Sequence, residues 1–319
     1  VRDATRSRVL AAIEAMGYVP HSAARSLSTQ RTMSFGVLLP EVHGEFFSEL
    51  IRGIDLAARR SGYHLLVSCS HSDPAEAQAV LHALHGRVDG LIVMAPGDGR
   101  VSQPTRFPAG VPLVELSSRS PARHNDSIRI DNRGGARAAT EHLIELGHRR
   151  LAMICGPGEN SDARERQLGF EEALADHGLP LDPQLLLPGD FRELSGFRAG
   201  TALGELRDRP TAVFAANDAM AVGCLSALRG SGLAIPEDVA LAGFDDIPIA
   251  RYLTPGLTSV RVAIAELGAR ATERLLAAIE GGPASPRHHE IVPATLVVRG
   301  STSNPRTRFV EPILREGRT

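Results

Sequence analysis

The chain has 319 residues, of which 43% are hydrophobic and 23% charged, and a net charge of −2; that length exceeds what one hydrophobic core organises, so two lobes of about 150 residues are expected. The charge excludes a uniformly basic coat for nucleic acid, though not a local patch. No stretch approaches the roughly 20 apolar residues that span a bilayer, and the N-terminus lacks the apolar centre of a secretory signal, so the expected location is the cytoplasm.

Residues 1–32 come first and differ from the rest. They hold Arg2, Arg6, Arg8, Arg25 and Arg31 against Asp3 and Glu14, a net +3 that leaves −5 on the remainder. The stretch "TRSRVLAAIEAMG" puts Val9, Ile13 and Met16 on one helical stripe that Gly17 ends. From Pro20 a second short segment has only Ala23, Ala24 and Leu27 as apolar members. A helix of about eight such residues is marginal alone in water, because nucleation is costly and little apolar surface is buried. It is expected to fold only against a partner.

Beyond residue 33 short apolar runs alternate with amphipathic segments. "SFGVLLP" reads as a strand, "FSELIRGIDLAARRSG" as a helix with Leu50, Ile54 and Ala57 on its stripe, and "YHLLVSC" as a strand. Next come "PAEAQAVLHALHG" as helix, then "VDGLIVM", "VPLVEL" and "SIRID" as strands. "GGARAATEHLIELGH", "ARERQLGFEEALADHG", "SGFRAGTALGEL" and "NDAMAVGCLSALRGSG" are helices that alternate with the strands "RLAMICG", "QLLLPGD", "TAVFAA" and "DVALAGF". A last long helix is "AIAELGARATERLLAAIEG". Strands apolar on both faces, each followed by a helix, imply an α/β fold with parallel sheets covered on both sides. A weak internal echo, "LIRGIDLAARRSGYHLL" against "QLGFEEALADHGLPL", supports two lobes of one plan with a cleft between them.

Ligands in open α/β sheets bind beyond the carboxyl ends of the strands. The turns there carry Phe46, Phe47, Asp131, Asp162, Arg166, Phe191, Asn217, Asp218, Asp245 and Asp246. Carboxylates, an amide and a guanidinium beside aromatic rings suit a polyhydroxylated or heterocyclic ligand, since each charged group grips hydroxyls while the rings cover an apolar face. Plainer roles compete: an Asp or Asn after a strand often only caps a helix, one of Asn217 and Asp218 is expected to do so, and Arg166 equally suits a solvated helix face.

Catalytic patterns are missing. There is no G-x-G-x-x-G after a strand, no G-x-S-x-G, and no phosphate loop with Gly-Lys, the sequence having no lysine at all. His288 and His289 are adjacent in a predicted strand and point to opposite faces, a poor metal pair. Cys69, Cys155 and Cys224 stand singly in apolar runs and read as reduced, buried thiols. An enzyme is unsupported, and neither cofactor nor metal is expected.

Residues 5–27, "TRSRVLAAIEAMGYVPHSAARSL", resemble the end of the DNA-binding headpiece and the hinge helix of the lactose-repressor (LacI/GalR) family of transcriptional regulators, with His21 where Asn is usual. The resemblance extends over almost the whole chain, through "VDGLI", "HLIELGHRR", "AVFAANDAMAVG" and "VALAGFDDIP". It implies a two-lobed, periplasmic-binding-protein-like (type I) fold behind a partial helical headpiece and hinge helix at 1–32. The effector-binding and dimerisation domain would span 33–306, with one lobe of about 33–130 plus 263–290, the other of 132–259 plus 291–306, and a tail at 307–319. It implies a homodimer whose hinge helices lie in the minor groove of operator DNA, where Leu27 wedges between base pairs, Ala23 and Ala24 keep the helix slim, and Arg25 and Arg31 meet phosphates. Effector-lining positions carry over to Phe47, Asn160, Asp162, Arg166, Phe191, Asn217 and Asp245, with Asp131 near a lobe crossover in a hinge or ligand role.

The resemblance places Val1 after the recognition helix, so sequence-selective DNA binding by residues 1–319 alone is expected to be lost or severely weakened. The expected function is a ligand-responsive transcriptional regulator, a repressor by the resemblance; the residues do not give the sign of the effector, since inducer and corepressor would use the same cleft. The alternatives are a sugar-binding protein without DNA function and an α/β enzyme acting in the cleft.

Overall fold

The computed structural model describes residues 3–16, 31–94, 111–117, 125–281 and 287–302. Helix α1 (Asp3–Ala15) opens it, and two residues of the expected apolar stripe, Val9 and Met16, are exposed. Ala23, Ala24, Arg25 and Leu27 lie outside the described residues. Arg31 is exposed just before the first strand, and its charge bears on the Tyr63 hydroxyl.

The elements then follow the predicted alternation: β1 (Ser34–Leu39), α2 (Glu45–Arg60), β2 (His64–Cys69), α3 (Pro74–Leu84), β3 (Gly90–Met94), β4 (Leu113–Leu116) and β5 (Asp126–Ile130). After them come α4 (Asn132–Glu145), β6 (Leu151–Ile154), α5 (Ser161–Asp176), β7 (Leu186–Leu187), α6 (Glu193–Glu205), β8 (Ala212–Ala215), α7 (Asp218–Gly230) and β9 (Ala240–Asp245). The described chain closes with β10 (Thr258–Arg261), α8 (Ile264–Gly281), β11 (His289–Val292) and β12 (Thr295–Val297). The central strands are apolar on both faces because both faces are covered: every residue of β3, β6, β8 and β9 is buried.

Two six-stranded sheets result. The first has the order β11-β5-β4-β3-β1-β2 and is parallel throughout; the second has the order β12-β10-β9-β8-β6-β7, with only β12 antiparallel to its neighbour. This is the two-lobed α/β fold that the strand–helix alternation predicts. The chain passes between sheets after β5, after β10 and after β11. Ile291 and Val292 still pair with Arg129 and Ile130, so the first sheet runs two residues past the expected boundary at 290, to the ends of both strands.

Two expectations need correction. "QLLLPGD" forms only the two-residue strand β7, entered through a 3-10 turn (Pro183–Leu185) capped by Asp182; Pro183 and Pro188 bracket the run and remove ladder donors. Of the three thiols only Cys224 is buried, while Cys69 and Cys155 are half-buried, each lying at or just past the carboxyl end of a strand where cover thins. His289, in β11, holds Ser127 Oγ at 2.8 Å through Nδ1.

The internal echo has a packing cause. Gly53 in α2 lies so close to α8 that a Cβ there would sit 1.9 Å from the Ala265 carbonyl oxygen, and Gly169 in α5 would place one 2.3 Å from that of Arg133 at the start of α4. In each lobe a helix needs a glycine to lie against its neighbour's backbone. Gly53→Val is therefore expected to force α2 and α8 apart and cost about 2 kcal/mol, seen as a lowered midpoint in urea denaturation followed by circular dichroism.

Candidate functional site

A cleft of about 290 Å³ lies where the carboxyl ends of β1, β6, β8 and β9 converge. Phe47, Asn160, Asp162, Arg166, Phe191, Asn217 and Asp245 all line it. Asp131 does not. It is exposed beside a smaller hollow, and its carboxylate accepts the Gly134 N–H at 2.9 Å as the cap of α4. A carboxylate just ahead of a helix is drawn to the unpaired N–H groups of the first turn, which keeps Asp131 at the crossover and out of the cleft.

Arg166, in α5, is only 4% exposed, which rules out the solvated-charge reading. Its Nε donates to Asn132 Oδ1 at 2.8 Å and Nη1 to the Ala216 carbonyl at 2.5 Å, while Nη2 lies 3.2 Å from Asp245 Oδ1. The guanidinium also stacks 3.7 Å from the centre of the Phe244 ring. A planar cation held on three edges and one face has little freedom left, so it presents a fixed charge to the cleft.

Asp245 ends β9 with φ +102° and Asp246 follows with φ +51°, backbone regions that cost about 1–3 kcal/mol each for residues with a Cβ. The surroundings hold them there. The Asp246 N–H donates to Ser259 Oγ at 3.0 Å, whose hydroxyl donates to Asp218 Oδ1 at 2.6 Å, and the Ile247 N–H donates to Asp218 Oδ2 at 2.9 Å. Asp246 itself is clamped by Arg261 Nε and Arg299 Nη1, each at 2.7 Å. Asp218 and Asp246, both candidates from sequence, are thus scaffold for Asp245, and the cap of α7 is Asn217.

The electrostatics follow from burial. Desolvation pushes the Asp245 carboxyl up to about 6, Asp162 adding to the rise and Arg166 opposing it. Asp162 is raised for the same reason, against the pull of Arg166 and a hydrogen bond from Ser117. Asp245 Oδ1 is buried with no aligned hydrogen bond. A buried carboxylate oxygen beside a cavity, short of a donor, is an acceptor prepared for hydroxyl or N–H groups of a ligand.

The rings form the walls. Phe46 and Phe47 meet edge to face at 5.4 Å, and Phe191 lies at φ +68° with its carbonyl accepting Asn217 Nδ2 at 2.9 Å. Phe191 rests on Gly156, where a Cβ would sit 2.5 Å from its Cζ. Gly156→Ala is expected to tip that ring into the cleft, weakening ligand binding several-fold in calorimetry with little change in melting temperature. His43, Met94, Val222, Ile247 and Ile249 also line the cleft and were not foreseen. An apolar residue after a strand carries no mark that separates a cleft wall from a core.

Two mostly parallel sheets joined by three crossings, with a polar, ring-walled cleft at the carboxyl ends of their strands, define a binding protein of the periplasmic-binding-protein-like class. Comparison with known proteins agrees: the sequence pattern of the periplasmic binding protein-like domain matches residues 140–302. The HTH-type transcriptional repressor CytR of Escherichia coli is 33% identical over 309 residues, which cover 95% of this chain and 89% of that protein. Among solved structures, a transcriptional regulator CelR–cellobiose complex superposes with a TM-score of 0.76 at 32% identity, covering 94% of this chain and 91% of the other. The Lac repressor bound to ONPG in its repressed state gives a TM-score of 0.84 at 28% identity, covering 95% and 92%. The chain belongs to the LacI family and is a ligand-responsive transcriptional regulator. No helix among the described residues is long and apolar enough to cross a membrane.

Proposed function

We propose that a small polyhydroxylated effector, a sugar or a nucleoside, binds in this cleft between Phe47, Asn160, Asp162, Arg166, Phe191, Asn217 and Asp245. The observation that carries the reading is the Asp245 carboxylate, buried in the cleft wall with Arg166 Nη2 3.2 Å from Oδ1 and with capacity to accept further donors. Hydroxyls of a sugar supply such donors two at a time, and Phe47 and Phe191 offer apolar cover for the ring faces. The cavity, near the lower end of the roughly 300–1,000 Å³ typical of small-molecule sites, suits a ligand of that size. Isothermal titration calorimetry with a panel of sugars and nucleosides is expected to give one-to-one micromolar binding that Asp245→Asn weakens at least tenfold; a hit unaffected by that substitution overturns the assignment.

The coupling proceeds by linkage. A ligand gripped by both lobes favours one angle between them, and in a homodimer that angle sets the spacing of the two segments holding Ala23, Ala24, Arg25 and Leu27 on operator DNA, with Arg31 beside the phosphates. Exposed apolar side chains support a second copy as partner: Leu66 and Val67 on the edge strand β2 in one lobe, Leu194, Phe197 and Tyr252 in the other. Sedimentation velocity is expected to return a dimer at micromolar concentration, and Leu66→Glu with Phe197→Glu to return a monomer.

A further inference from the structure

A separate hollow of about 180 Å³ lies at the crossover between the lobes and shares only Asp162 with the effector cleft. Ser117, Arg129 and Ile291 come to it from the first lobe, Asn132, Ser161 and Glu165 from the second, with Asp131 at the join. The bond from Arg166 Nε to Asn132 Oδ1 stands in the partition, since Arg166 lines the cleft and Asn132 the hollow.

Two observations mark the hollow as more than a gap in packing. Arg129 and Glu165 are both half-buried, and among the described residues neither side chain makes a hydrogen bond or an ion pair, so opposite charges line one space without reaching each other. Partial burial takes water from both groups, and only a ligand of complementary charge returns what is lost. Asp131 adds a second carboxylate, with one oxygen accepting the Gly134 N–H at 2.9 Å. The other observation is Ile291, which stands in register beside Arg129 across the β5–β11 pair and is 57% exposed, an apolar floor next to the cation.

We propose that this hollow is a second ligand site, distinct from the effector cleft, and that it takes a small aliphatic α-amino acid. The carboxylate of such a molecule pairs with Arg129, its ammonium with Glu165 and Asp131, and its side chain covers Ile291. A simple anion satisfies Arg129 but leaves two carboxylates facing it, and a simple amine leaves Arg129 alone. A volume below the roughly 300 Å³ at which sites for drug-sized ligands begin admits few atoms beyond the zwitterion itself. The bound amino acid touches residues of both lobes at the crossover, so it stabilises the folded chain in proportion to its occupancy.

The test is calorimetry and thermal unfolding of the whole chain with glycine, L-alanine, L-serine and L-valine, against acetate and methylamine as the two halves of the charge pattern. At least one amino acid is expected to bind one-to-one, at least about tenfold more tightly than either half, and to raise the melting temperature. Arg129→Gln and Glu165→Gln are each expected to weaken it about tenfold or more while leaving the melting temperature of the free protein nearly unchanged, because neither side chain has a partner to lose. Asp245→Asn, on the far side of the partition, is expected to leave amino-acid affinity intact. No amino acid binding at millimolar concentration, halves that bind as tightly as the whole, or affinity that survives both glutamine substitutions overturns the inference. So does affinity lost with Asp245→Asn, which moves the ligand to the effector cleft.

Discussion

Arg166→Ala is expected to lower effector affinity at least about a hundredfold and to remove about 3 kcal/mol of folding stability. The loss of affinity follows from two charge-assisted contacts of about 1.5–3 kcal/mol each, one direct to ligand hydroxyls and one through the orientation of Asp245. The loss of stability has a different source. Without the guanidinium, Asp245 keeps a buried carboxyl with no cation, and Asn132 Oδ1 and the Ala216 carbonyl lose their donors. Arg166→Lys separates the two effects, because an ammonium restores a charge near Asp245 without the planar fork that also reaches Asn132, Ala216 and the Phe244 face. Stability should recover in part and affinity hardly at all. Calorimetry and urea denaturation on the two variants decide the matter, and an alanine variant that binds within a few-fold of the parent sinks the assigned role.

The fold was largely legible because its signals are local and strong. Buried runs such as "GLIVM" and "AVFA" have nowhere to lie but the middle of a covered sheet, and the helices between them carry one apolar stripe each. What escaped were β10 and β12, short strands of "TSVR" and "TLV" whose Ser and Thr look like turn chemistry until pairing defines them. Their hydroxyls are structural: Ser259 links Asp246 to Asp218, and Thr258 holds Thr302.

The site was legible in composition but not in the division of labour. Asp131, Asp218, Asp245 and Asp246 are alike as letters, each an acid at the end of a strand or the start of a helix. Only the three-dimensional surroundings tell them apart: a first-turn N–H takes Asp131, a serine hydroxyl and a backbone N–H take Asp218, and two arginines take Asp246. Asp245, paired with Arg166, is the one of the four that lines the cleft.

Effector binding is expected to weaken about tenfold between pH 7 and pH 5, while the ligand-free protein becomes more resistant to denaturation from the same group. Both halves come from the Asp245 carboxyl, which burial pushes up to about 6, well above its value in an unfolded chain. The folded state then holds more protons than the unfolded one between about pH 4 and 6, so this group's contribution to stability is full at the acid end and declines as pH rises through that window. Asp162 and Asp218, raised by the same desolvation, act in the same direction. The ligand reverses the sign. Its hydroxyls donate to the charged carboxylate, whose population changes about tenfold between pH 5 and 7 for a group titrating near 6, and charge-assisted hydrogen bonds are roughly twice as strong as neutral ones. Effector thus recovers at neutral pH what burial takes away, and the rise in melting temperature on adding ligand should grow from pH 5 to 7 while the melting temperature without ligand falls. Asp245→Asn removes the titrating group and should flatten the binding profile at a low affinity. A profile that stays steep in Asp245→Asn assigns the proton to Asp162 or to the ligand and ends the case for Asp245 as the acceptor.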